Sequence, residues 1–104
     1  MEVSDKTFHK EVIQSELPVL IEYWASWCLP CKMIEYVLQE LEDEYNGKIK
    51  IVKLNVDRNR NIPRKYELTG IPTFMTFKKG EIIETKVGAQ SKKELTNMIV
   101  IVLK

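Results

Sequence analysis

The sequence predicts an α/β fold: a central mixed β-sheet, with parallel core strands and an antiparallel C-terminal hairpin, flanked by helices. Three observations carry this. Runs 19–25 and 48–57 are rich in β-branched and aromatic residues and place apolar side chains on both faces, as strands buried on both sides do. A helical pattern lies between them and supplies the crossover that parallel neighbours need. Short strands over 74–77 and 82–87 follow, joined by Lys78-Lys79-Gly80-Glu81. So tight a turn makes that pair antiparallel.

Each element has its own reason. A short strand is predicted over 1–3. Residues 4–15 read as a helix, with Ser4 or Asp5 as cap and Phe8, Val12 and Ile13 at helical spacing. Pro18 stops that helix. The strand 19–25 carries one charged residue, Glu22, which burial forces either to find a cation or to have a raised pKa. From Cys31 the period becomes helical, with Ile34, Val37, Leu38, Leu41 and Tyr45 on one face and Glu35 mostly outside it. Asn46-Gly47 ends this helix. In the strand 48–57, Lys53 shares a face with Ile49 and Ile51 and is a candidate partner for Glu22. A short helix is expected over 62–66, with Pro63 in its first turn. Gly88-Ala89 breaks the last strand, and Ser91 with Glu94 has the form of a capping box opening the final helix. Leu95, Met98, Ile99 and Val102 give that helix its buried stripe, while its apolar end, 99–103, is suited to covering extra sheet or to self-association.

The 104 residues are expected to form one domain, 1–104. Sixteen Lys and Arg stand against fifteen Asp and Glu. This balance argues against nucleic-acid partners or a polybasic membrane surface. The N-terminal residues are polar and no run has membrane-spanning length, so a cytoplasmic location is expected. In a reducing compartment a cysteine pair is a poor structural staple, which favours a catalytic or metal-binding role.

Both cysteines and both tryptophans fall within Trp24-Ala25-Ser26-Trp27-Cys28-Leu29-Pro30-Cys31. Two thiols spaced this way at the start of a helix can close into a disulfide. The helix N-terminus also favours the thiolate, the reactive form of cysteine. Zinc would need two further ligands, and His9 is the sole histidine. His9 reads as a solvated surface residue on the first helix, remote from the cysteines, which also weakens a cysteine-hydrolase reading. No metal or other cofactor is expected.

Trp27-Cys28-Leu29-Pro30-Cys31-Lys32 after a buried strand, Gly70-Ile71-Pro72-Thr73 further on, and Val87-Gly88-Ala89 after the hairpin resemble the thioredoxin family over essentially the whole chain. The resemblance implies a thiol–disulfide oxidoreductase that reduces disulfide-containing substrate proteins and is itself re-reduced by a thioredoxin reductase. Cys28 would be the exposed attacking thiol and Cys31 the shielded resolving thiol. Glu22 falls where the family has a buried aspartate that accepts and returns a proton, and Lys53 matches its neighbouring lysine. Pro72 matches the family's cis-proline. Trp27, Leu29, Pro30, Gly70, Ile71, Gly88 and Ala89 would form the docking rim of a monomer. Three departures stand out: Leu29 replaces the usual glycine, Glu22 is one methylene longer than aspartate, and Tyr36 replaces a helix-kinking proline. Rival readings are a non-catalytic binding module switched by redox state, and a more oxidising protein, which Leu29 would favour.

Overall fold

The computed structural model describes all 104 residues. In chain order it has β1 (Glu2–Val3), a helical turn (His9–Ile13), β2 (Val19–Trp24), α1 (Leu29–Glu44), β3 (Lys50–Asn55), α2 (Asn61–Lys65), β4 (Thr73–Lys78), β5 (Glu81–Val87) and α3 (Lys92–Leu103). The sheet order is β1-β3-β2-β4-β5. Strands β1, β3 and β2 run parallel, and β4 and β5 add an antiparallel edge. The mixed sheet predicted from the sequence is the one observed.

Strand β2 lies in the middle because its side chains leave no face for water: Val19 to Tyr23 are all buried. Leu20 faces Ile34, Leu38 and Leu41 of α1 and Leu95 and Met98 of α3. Ile21 and Tyr23 point the other way, toward Phe8, Val12, Val52 and Phe77. There Phe8 packs edge-on against Phe77 and tilted on Tyr66, with ring centres 5.7 Å apart in each pair, a favourable aromatic spacing. The 3.6-residue period of α1 therefore serves one layer and the period of two in the strands serves both.

The hairpin turn has Lys79 and Gly80 at φ of 52° and 82°, the left-handed pair that matches strand twist. A β-carbon at Gly80 would lie 3.2 Å from the Ile13 carbonyl oxygen, so glycine is required there on two counts. Ser91 and Glu94 form the reciprocal capping box expected of them.

The segment 4–15 departs from its predicted helix. Residues 8–13 are helical, and His9–Ile13 is wide-turned, with the Gln14 N–H donating to the His9 carbonyl five residues back. Before it, the Ser4 N–H donates to the Thr7 hydroxyl and the Thr7 N–H to the Ser4 hydroxyl. With the Phe8 N–H also donating to the Ser4 carbonyl at 2.8 Å, Ser4 caps the turn that leads into the helix. Asp5 does not cap this segment. Its carboxylate accepts from the Asn61 and Ile62 N–H groups at 3.0 and 2.9 Å, capping α2 from across the fold.

Leu41 of α1 is fully buried in the cluster shared with the sheet and α3. Leu41→Ala is expected to destabilise the protein by about 2–5 kcal/mol, read from the midpoint of urea unfolding at unchanged slope.

Candidate active site

The chain leaves β2 at Trp24, turns through Ala25 and Ser26, and enters α1 at Leu29. Cys28 is the cap residue of α1. Its sulfur accepts from the Cys31 N–H at 3.3 Å, so it sits where unpaired helix N–H groups favour negative charge. Pro30 fits the first turn, where its missing N–H costs nothing. Cys28 and Cys31 are joined as a disulfide, with Cα atoms 5.3 Å apart, inside the usual range.

Trp27 and Leu29 stand out from the surface, 69% and 66% exposed. The cysteines lie between and below them. Cys28, expected to be the exposed thiol, is 4% exposed and Cys31 1%. Ala25, Trp24, Val56 and Ile71 pack around the pair, so in the oxidised state only an edge of Cys28 reaches solvent. The Trp27 indole N–H donates to Asp57 at 2.9 Å, which anchors the ring.

The Ile71–Pro72 peptide is cis. Two shallow grooves flank the disulfide. One, of about 310 Å³, runs between Pro30, Met33, Pro72 and Ala89. The other, of about 300 Å³, lies between Trp27, Pro63, Leu68, Gly70 and Ile71. Pro72 O accepts from the Gly88 N–H at 2.7 Å, and Gly88 is at φ 93°. The segments 70–72 and 88–89 thus come together beside the dithiol, though separated in the chain by a hairpin.

Glu22 is fully buried on β2, on the face covered by α1, and neither carboxylate oxygen has a hydrogen-bond partner. Burial pushes its pKa up to about 8, against the pull of Lys53 and with small additions from Glu35 and Glu2. The carboxyl is therefore mostly protonated at pH 7, with an ionised fraction able to accept a proton. Lys53 is in register with Glu22 on β3, but it does not make the expected ion pair. Its ammonium binds Glu35 at 2.9 Å and lies 4.2 Å from the centre of the Trp24 ring. Water reaches Glu35 and not Glu22, so the lysine keeps part of its hydration by turning outward. The Trp24 N–H donates to Glu2 at 2.8 Å. Burial raises the Glu2 pKa, with that hydrogen bond opposing it.

Sequence reasoning overlooked Glu35 and Asp57. Glu35 had a usable signal, since it follows Cys31 by four residues and so stands on the same side of α1. Asp57 had none, because only the fold brings it to Trp27.

The thioredoxin family model matches residues 1–100. A thioredoxin of Rickettsia felis is 48% identical over 97 residues, covering 93% of this chain and 92% of that protein. Thioredoxins of Pseudomonas aeruginosa and Allochromatium vinosum are each 52% identical, over 93 and 94 residues. They cover 89% and 90% of this chain, and 86% and 88% of those proteins. With a Cys-x-x-Cys disulfide at the mouth of α1 and relatives of this likeness over nearly its full length, the chain belongs to the thioredoxin family and is a thiol–disulfide oxidoreductase, a protein-disulfide reductase.

Proposed function

We propose that Cys28 attacks, Cys31 resolves and Glu22 exchanges the proton. The observation that carries this division is the capping position of Cys28: its sulfur, not that of Cys31, receives a helix N–H. That environment favours the Cys28 thiolate. In the reduced protein this thiolate attacks a substrate disulfide, forming a mixed disulfide and releasing the first substrate thiolate. The Cys31 thiol then gives its proton to ionised Glu22 and attacks the Cys28 sulfur. The second substrate thiolate leaves, the Cys28–Cys31 disulfide closes, and two electrons have passed to the substrate. Re-reduction by a thioredoxin reductase runs the same steps backward, with protonated Glu22 returning the proton to Cys31.

Lys53 modulates Glu22, its positive charge pulling the pKa down against the upward effect of burial. Pro72 and Ile71 present backbone to an extended substrate segment, a form of strand addition. Trp27, Leu29, Pro30, Gly70, Ile71, Gly88 and Ala89 form the apolar rim on which protein partners dock. The two grooves beside the disulfide support this, because they offer a substrate chain apolar contact on either side of the sulfur it attacks. The unit is one domain, 1–104, working as a cytoplasmic monomer. All the groups named come from a single chain, and no helix is long and apolar enough to cross a membrane. Equilibration with glutathione tests the reductant reading: the dithiol should remain largely oxidised where glutathione is mostly reduced, and a pair readily reduced there would mark an oxidant instead.

Three outcomes are expected. Cys31→Ser should accumulate a one-to-one mixed disulfide with a substrate protein, seen by intact mass, whereas Cys28→Ser should form none. Glu22→Gln should slow the resolving step by roughly one to two orders of magnitude at pH 7, measured by insulin reduction. Stability should also respond to pH. Folded Glu22 keeps its proton up to about pH 8, while its unfolded value is 4.5. The unfolded chain therefore binds fewer protons between these limits, and stability is lost as pH rises through that window. Melting temperature should fall less between pH 5 and 8 in Glu22→Gln than in the parent protein.

A further inference from the structure

The charged groups acting on Glu22 come from three elements. Lys53 on β3 is the one cation, while Glu35 on α1 and Glu2 on β1 are carboxylates. Strand β4 opposes Glu22 with Phe74. A cation in register with a buried carboxyl would ordinarily turn toward it, because the attraction is strongest where water is absent. Lys53 instead bonds Glu35 at 2.9 Å. Its ammonium rests on the Trp24 ring, whose far edge is tied to Glu2. A cavity of about 210 Å³, bordered by Met1, Glu35, Gln39 and Lys53, leaves the lysine side chain room to move.

We propose that Glu35 is a positioning residue for proton exchange: by holding Lys53 against itself and the Trp24 ring, it withholds the ammonium from Glu22. The consequence is kinetic as well as electrostatic. Glu22 must be ionised to take the proton of Cys31 and protonated to return it, so its midpoint sets the pH at which each direction is fast. Glu35 biases that midpoint upward in two ways, through its own negative charge and through its grip on the only opposing cation. The oxidised protein is thereby kept loaded with the proton that reduction will need. Glu35 touches no reacting atom and is half exposed, so its replacement leaves the core unaltered.

This inference deepens the assignment of Glu22 and rests on it for its catalytic meaning, yet the titration itself needs no turnover. The Glu22 side-chain carboxyl is followed by carbon NMR against pH in the oxidised parent, Glu35→Gln, Lys53→Met and the double variant. Glu35→Gln should lower the Glu22 midpoint by about one pH unit, as expected when a cation turns toward a carboxylate. In the Lys53→Met background the same substitution should move it much less. No movement, an upward movement, or a shift undiminished without Lys53 overturns the proposal; the last would mean that Glu35 acts by charge alone. The pH profile of mixed-disulfide resolution, measured in single turnover, should follow the titration. If the midpoint shifts as expected and the profile does not follow, the hold on Lys53 is supported and the catalytic assignment of Glu22 fails.

Discussion

The structure depends on the complete enclosure of strand β2. It is paired on both edges, by β3 and β4, and covered on both faces. A strand so placed must be reached and left through connections that pass over the sheet, and the connection that leaves it is α1. The end of β2 and the start of α1 therefore meet at one end of the central strands, where strand twist and helix packing fix their relation. The cysteines occupy that junction. Their reactivity and their separation come from the same fact, that the chain has just emerged from the core and begun to coil. Enclosure also explains Glu22. A carboxyl set in the same strand as the apolar core cannot keep its charge cheaply, and its proton becomes part of the folded structure.

Two opposing effects meet at that carboxyl, and their sizes decide the result. An opposite charge within hydrogen-bonding reach lowers a carboxyl pKa by about one to three units, whereas full burial raises it by as much as three to five. Glu22 ends near 8, so burial prevails. Lys53 is near enough to matter and too far committed elsewhere to win. Neither oxygen of the buried carboxyl has a hydrogen-bond partner to offset the cost of burial.

Most of the fold was legible because its signals were local. The strands of 19–25 and 48–57, the hairpin at Lys79-Gly80 and the capping box at Ser91 each announced themselves through spacing, turn chemistry or a short reciprocal motif. The dithiol was legible for the same reason. What escaped was set by contacts between distant segments or by competition among equals. Asp5 looked like a cap for its own helix and serves one more than fifty residues away. Lys53 was named a candidate partner for Glu22, but no pattern could say which of three carboxylates would hold it. The near-complete burial of Cys28 escaped too, because it arises from Trp24, Val56 and Ile71, which come together only in the fold.

The cap that Asp5 places on α2 has a consequence for handling and redesigning the molecule. Asp5 lies two residues beyond strand β1, its own N–H donates to Asn59, and its carboxylate holds the first turn of α2. Pro63 of that helix and Leu68 beyond it form one bank of the groove beside Trp27. The amino-terminal residues are thus tied by hydrogen bonds to the helix that borders this groove. Trimming the first residues removes the cap of a helix that lines this groove, although the altered atoms lie well away from any sulfur.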